Sequence, residues 1–294
     1  MNIKMYLHIF ILLLQIVYTG RFFASTIKNH RSYLSELSIN NTHIECITYD
    51  NFSTIYEIEH LLSGDYDGIN AYFTFIGKKY GTFGVIGLCM IDGKIQASCI
   101  VEFLILNKTL SNIKITNNGL LGMIIDPITN PYKGFNTIAK IKFNKIIPKY
   151  HFSSRKLVRA SAYNGIYYTA HDDTKNTIIY GVNNFTMQSQ YTNLTTGPHY
   201  TLALLADNSR LYALLFNMKY VKLITINITT GGTKKCISYY DLQYVNTAIL
   251  KYHIIYSIMQ YKNTYYWIET NTITCTYTKK LYTSDYIPNN IWLL

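Results

Sequence analysis

The stretch from Thr201 to Gly231 reads TLALLADNSRLYALLFNMKYVKLITINITTG and spells three short strands in succession. Thr201 to Ala206 is an apolar run closed by the turn residues Asp207-Asn208-Ser209, and Leu211 to Phe216 is a second run closed by Asn217-Met218-Lys219. Val221 to Ile228 alternates apolar and polar residues before stopping at Thr229-Thr230-Gly231-Gly232. Runs of this length between clusters of turn formers are strands joined by tight connections. Strands this rich in Tyr, Ile and Val aggregate if their edges stay open, so the fold has to protect them.

The pattern recurs. Pairs of strands flank a short polar turn at Asp50-Asn51 (His43 to Tyr49, then Thr54 to Glu59), at Asp92-Gly93 (Val85 to Ile91, then Gln96 to Leu106) and at Asp126-Pro127 (Leu120 to Ile125, then Asn136 to Phe143). They return at His171-Asp172-Asp173 (Ile166 to Ala170, then Thr177 to Val182), at Asn217, and at Lys262-Asn263 (His253 to Met259, then Tyr265 to Glu269). Turn residues at 50, 92, 126, 172, 217 and 262 give intervals of 42, 34, 46, 45 and 45. All but the 34-residue interval fit the roughly 40–50 residues of a four-stranded propeller blade. That short interval, around Asp126, requires either a lost strand or a misassigned pair. The expected fold is therefore all-β, a β-propeller of about six four-stranded blades, because a ring leaves only short, protected edges. A β-sandwich or two stacked β-domains is the alternative built from the same short strands.

Residues 1–20 start with one basic residue, Lys4, continue with the apolar run Tyr6 to Tyr18 and end in Thr19-Gly20. The run has the length of a signal-peptide core and falls short of the ~20 residues of a bilayer span. The expected division is a signal peptide over 1–20, a polar lead-in over 21–41 and the propeller over 42–294, with no transmembrane span once the signal is removed. An uncleaved anchor is the other reading of 1–20. Export makes the protein secreted and extracellular and keeps it from nucleic acid. The net charge of +11 suits an anionic glycan or an acidic protein partner, although the lysines are scattered singly or in pairs.

Five cysteines in an exported chain point to disulfides with one thiol left over. Cys89 and Cys99 flank the Asp92-Gly93 turn and form the expected pair, but a two-residue turn sets Gln96 opposite Cys89, so this bond calls for a longer loop. Cys236 and Cys275 follow the third strands of neighbouring units and pair only where their loops converge. Cys46 either joins one of them across the ring closure or is a buried thiol. Sequons at Asn40, Asn51, Asn107, Asn184, Asn193 and Asn227 slightly exceed the four or so that composition alone gives, and make a glycoprotein the expectation.

Catalytic patterns are sparse. There is no H-E-x-x-H, G-x-S-x-G or Walker sequence and no zinc spacing among Cys and His. No catalytic residue and no cofactor is assigned. The carboxylates at 50, 65, 67, 92, 126, 172, 173, 207 and 241 read as turn caps. His171, Asp172 and Asp173 are the one cluster worth weighing for a divalent ion, against the six or so oxygens that calcium needs. Asp65-Tyr66-Asp67-Gly68 opens like an EF-hand loop, but its twelfth position is Ile76 and not Glu, which leaves a loop between blades.

The 29 tyrosines supply amphipathic rings suited to binding surfaces, with Tyr167, Tyr168, Tyr212, Tyr239, Tyr240, Tyr261, Tyr265, Tyr266 and Trp267 as candidates. Alternation along a strand sends half of any such run into packing between blades. Over residues 160–280, Arg210-Leu211-Tyr212-Ala213-Leu214 and Ile228-Thr229-Thr230-Gly231 resemble the loose repeats of extracellular YWTD and NHL propellers, although the YWTD tetrad has only a partial echo in Tyr265-Tyr266-Trp267-Ile268. The resemblance implies an extracellular binding module acting through its blade loops. The alternatives are a secreted propeller enzyme, lactonase-like or cyclotransferase-like with a central metal, and a structural tyrosine-rich secreted protein.

Overall fold

The computed structural model describes residues 21–294 except 41, 52–57, 78–81, 92–93, 107–108, 118, 126–135, 143–144, 153–157, 173–176, 184–188, 195–199, 218 and 294. The described residues form 24 strands and no helix. The first blade takes β1 (Phe22–Lys28), β2 (Arg31–Ile39) and β3 (His43–Asn51) from the start of the chain, and β24 (Ile287–Leu293) from its end. The second blade is β4 (Ile58–Tyr66), β5 (Asn70–Gly77), β6 (Phe83–Ile91) and β7 (Lys94–Leu106), and the third is β8 (Thr109–Thr116), β9 (Gly119–Ile125), β10 (Asn136–Lys142) and β11 (Lys145–Phe152). The fourth is β12 (Val158–Tyr163), β13 (Ile166–Asp172), β14 (Thr177–Asn183) and β15 (Ser189–Leu194). The fifth is β16 (Tyr200–Ala206), β17 (Arg210–Phe216), β18 (Val221–Asn227) and β19 (Thr233–Tyr239), and the sixth is β20 (Tyr244–Lys251), β21 (Ile254–Tyr261), β22 (Thr264–Asn271) and β23 (Thr276–Tyr282).

Every blade is an antiparallel meander. The first and sixth blades merge into one eight-stranded sheet through a short parallel contact at the rim, Leu281 with His43 and Tyr282 with Ile44. The strands β24, β4, β8, β12, β16 and β20 touch in that cyclic order, which closes a six-bladed β-propeller. Closure is by the last strand: β24 pairs with β1 as the innermost strand of the first blade, with Phe22 opposite Leu293. The stretch 21–41, expected as a polar lead-in, thus supplies β1 and β2 to the ring. Residues 1–20 lie outside the described residues.

The strand alternation accounts for the core. Neighbouring residues on one strand point to opposite faces of the blade and so into different interfaces. Tyr167 packs with Leu121 and Met123 of the third blade, whereas Tyr168 packs with Leu204 and Ala213 of the fifth. Leu204 and Leu205 divide in the same way, as do Trp267 and Ile268. Six apolar clusters result, one at each interface between blades.

The blade assignment explains the short interval. The turns at 126, 172, 217 and 262 all join the second and third strands of a blade, but Asp92-Gly93 joins the third and fourth strands of the second blade. The equivalent turn there lies between β5 and β6. Asp50 and Asn51 are the end of β3 rather than a turn, and 52–57 lies outside the described residues.

Candidate functional site

Two faces of the ring differ in chemistry. The lower face carries the turns between first and second strands and between third and fourth strands of each blade, whereas the upper face carries the second-to-third turns and the passages between blades. On the upper face of the fifth blade Tyr240 and Tyr220 meet at 4.9 Å between ring centres, and Phe216 and Tyr244 stack at 5.8 Å. Tyr200 is the cross-strand partner of Phe216. Tyr240, Tyr244 and Tyr200 are 72%, 53% and 48% exposed, so the cluster faces solvent. The same face continues into the sixth and first blades with Lys262 over Tyr261, Lys279 over Tyr266 at 3.9 Å, and Lys28 over Tyr286 at 4.5 Å. These cation–π contacts hold lysine side chains flat against rings and lower the entropy lost when a partner docks.

The rings exposed here are held by rings that are not. Tyr167 is fully buried and donates its hydroxyl to the Asn112 carbonyl at 2.6 Å, tying the fourth blade to the third. Tyr239 is buried and shares a 2.7 Å hydrogen bond with Thr270 across to the sixth blade. Tyr212 donates to Asp207 at 2.8 Å, beside the turn that Asp207 caps. Burial raises the hydroxyl pKa of all three, so they are neutral hydrogen-bond donors. Of the tyrosines picked out by sequence, Tyr167, Tyr168, Tyr212 and Tyr239 are therefore core; Tyr240 belongs to the exposed cluster, whereas Tyr261, Tyr265 and Tyr266 are half-buried. Tyr200, Tyr220 and Tyr244 were not singled out; their signal was their place beside turns.

On the lower face the mouth of the central channel is a cavity of about 190 Å³ lined by Asp65, Tyr66, Lys114, Lys251, Asn290 and Trp292. These residues come from β4, β8, β20 and β24. Asp65 accepts the Ile115 backbone N–H at 2.6 Å and stands 3.8 Å from the Lys114 ammonium, so its charge is engaged between blades. Asn290 accepts from the Gly64 N–H and donates to Ser25, which locks the closing strand to both neighbours. Asp65-Tyr66-Asp67-Gly68 is the first hairpin of the second blade, not a loop between blades. Asp67 caps that turn by accepting the N–H groups of Ile69 and Asn70, and Asp207 repeats the arrangement with Ser209 and Arg210.

Two of the three candidate cation ligands, His171 and Asp172, have separate hydrogen-bond partners. Asp172 is buried and accepts from the Thr201 N–H at 2.6 Å and from the hydroxyls of Thr201 and Thr177. Its two oxygens thus clasp the fourth blade to the fifth. His171 is buried on the same strand with its Nε2 3.0 Å from Thr169, and Asp173 lies outside the described residues. No three His, Cys, Asp or Glu side chains converge among the described residues. Beside Asp172, the half-buried Arg159 guanidinium donates to the Leu202 carbonyl; burial lowers its pKa and Asp172 works against that fall.

Cys236 and Cys275 form a disulfide between the fifth and sixth blades. Cys46 therefore bonds to neither, and it lies beside the Tyr282 hydroxyl. Asp92 and Gly93 lie outside the described residues; Ile91 pairs with Lys94, and the β6–β7 register shifts between Leu88 and Met90, beside Cys89. Asn40 and Asn227 are exposed on lower-face turns. Asn51 and Asn193 lie on β3 and β15, and Asn107 and Asn184 lie outside the described residues. No helix among the described residues is long and apolar enough to cross a membrane.

No protein-family model and no curated protein matches the sequence. Solved structures do match the fold. TolB from Acinetobacter baumannii superposes with a TM-score of 0.64 at 8% identity, over 93% of this chain and 67% of that one. A putative 6-phosphogluconolactonase from Bacteroides fragilis gives 0.54 at 14% identity over 94% of this chain and 85% of its own, and one from Bacteroides uniformis gives 0.55 at 10% identity over 95% and 86%. At such identities the likeness is one of fold, and what the chain shares with these proteins is the β-propeller.

Proposed function

We propose that this protein is a secreted glycoprotein that binds an extracellular partner protein through the tyrosine-bearing upper face of its propeller. The observation that carries the reading is the exposure of Tyr200, Tyr240 and Tyr244 on one face, beside the half-buried rings of Phe216 and Tyr220. Tyrosine offers a large rigid contact and a polar tip, the combination that dominates protein-binding hot spots. Secretion is supported by the apolar segment within 1–20 and by the disulfide between Cys236 and Cys275, a bond favoured in oxidising compartments. The two sequons with described surroundings, Asn40 and Asn227, lie on the opposite face, where glycans leave the rings clear.

A photoreactive phenylalanine analogue placed at Tyr240, and in a second sample at Tyr163 on the lower face, tests this. In native extracellular material the Tyr240 sample gives a discrete adduct, competed by unlabelled protein but not by the Tyr240→Ala/Tyr244→Ala variant. Loss of a two-ring hot spot corresponds to roughly 30-fold weaker binding. Equal adducts at both positions would remove the upper face from the proposal, and an intact residue 1–20 segment on the mature protein would remove cleavage of a signal peptide.

A further inference from the structure

We propose that the groove between the second and third blades on the lower face is a binding site for a sulfated sugar chain. The groove has a volume of about 520 Å³ and is lined by Lys140, Lys142 and Lys145 around an apolar floor that includes Ile115, Leu120 and Ile141. Lys142 and Lys145 are cross-strand partners at the end of the β10–β11 hairpin, and Lys140 is on the same face of β10 as Lys142. Gly119 lines the groove with φ +106°, a backbone conformation that an L side chain would strain.

Among the described residues the groove has an excess of positive charge, three lysines against the single carboxylate of Asp67. Among the described residues no carboxylate lies within ion-pair distance of Lys140, Lys142 or Lys145, whereas Lys114 at the nearby channel mouth has Asp65, Lys279 has Asp241 and Lys280 has Glu269. Asp67 is the one acidic lining residue, and it caps its own turn through the Ile69 and Asn70 amides. Three ammonium groups around one concavity focus a positive field and favour an anion that carries several charges. The volume exceeds that of a single sulfate or phosphate and falls in the ordinary range of ligand pockets, about 300–1,000 Å³. An apolar floor takes the faces of sugar rings while lysines at the rim meet their anionic substituents. Sulfate is chosen over phosphate on the extracellular reading given above; the groove itself is independent of the tyrosine cluster.

Calorimetric titration of the purified full chain with a heparin-derived hexasaccharide, its desulfated counterpart and a phosphorylated one, each at several salt concentrations, tests the proposal. The sulfated sugar binds saturably and the desulfated one does not. The affinity falls with salt with a log–log slope of about two to three, as three ion pairs to a linear polyanion require. Lys140→Ala/Lys142→Ala/Lys145→Ala weakens binding by about tenfold or more and flattens the slope, and the corresponding triple arginine variant retains binding. The Tyr240→Ala/Tyr244→Ala protein binds the sugar as the wild type does, which separates this site from the upper face. Absence of binding, or a triple alanine variant within about twofold of wild type, would show that the net charge acts diffusely and overturn the site. Preference for the phosphorylated sugar would overturn the assignment to sulfate.

Discussion

Cys275 stands in the sixth blade where Gly231 stands in the fifth. Both have left-handed backbone, at φ 56° and 69°, and both donate their N–H to the carbonyl of an asparagine four residues earlier, Asn271 and Asn227, at 2.9 Å. Each asparagine also caps its loop, accepting the N–H groups of the second and third residues after it. The two loops are one structure with different sequences, and the sixth blade has put a cysteine where glycine is the unstrained choice.

That substitution trades backbone strain for a cross-link to Cys236. Removing the bond in a Cys236→Ser/Cys275→Ser protein is expected to lower stability by about 2–4 kcal/mol, given the 39-residue separation of its ends. A Cys236→Ser/Cys275→Gly protein should recover about 1 kcal/mol of that loss, because glycine accepts positive φ without the cost borne by an L side chain. Equilibrium denaturation of the two variants measures the difference, and equal midpoints would show that the left-handed turn is not strained.

Asp172 makes a prediction that distinguishes a clasp from a cation ligand. Asp172→Ala leaves the Thr201 N–H and two hydroxyls without their acceptor in a buried place, and is expected to cost about 2–4 kcal/mol, with Asp172→Asn losing about half as much. Added calcium should not shift the melting temperature of the wild type. A calcium-dependent rise that Asp172→Asn abolishes would return the carboxylate to metal binding.

The buried tyrosines set an alkaline limit. Tyr167, Tyr239 and Tyr282 have hydroxyl pKa values raised mainly by burial, and for Tyr282 further by the neighbouring Cys46. A raised folded-state pKa means that the unfolded chain gives up protons first, so this stability is complete below the unfolded value of 10.0 and is lost as pH rises beyond it. Three such groups give a loss of about 4 kcal/mol per pH unit once well above that value. Tyrosinate absorbance followed during alkaline unfolding should rise in step with loss of sheet, and Tyr239→Phe should make the slope shallower by about a third.

Cys89 sits at an irregularity in the β6–β7 pairing. Between the pairs Leu88–Ile100 and Met90–Ile95, the single residue Cys89 faces the four residues 96–99 of β7, the last of which is Cys99. Peptide mapping of the oxidised native protein is expected to recover Cys89 linked to Cys99. Full alkylation of both thiols without reduction would exclude the bond.

The fifth and sixth blades were legible because their turns carry Asp or Asn with the spacing that a side-chain cap requires, as at Asp207, Asn217 and Asn271. The second blade was read one turn out of phase: Asp92-Gly93 is a strong signal at the wrong hairpin, while the matching turn after Gly77 follows with Lys78 and Lys79 instead of an Asp or Asn cap. The first blade could not appear as a repeat, since β24 lies more than 200 residues from its partners, as the Ser25–Asn290 bond shows. The exposed cluster was half visible. Composition gave the tyrosines, but neighbours such as Tyr239 and Tyr240 divide into core and surface, and telling them apart requires the blade register.

Phe22 and Leu293 face each other across one pair of strands, so the chain enters and leaves the ring at a single point on the lower side. Anything joined to either end, whether the preceding residues or an added tail, departs from there. A protein tethered by an end would stand with its tyrosine cluster turned outward, away from the surface that holds it. Orientation at a boundary is thus inherited from the place where the circle was cut.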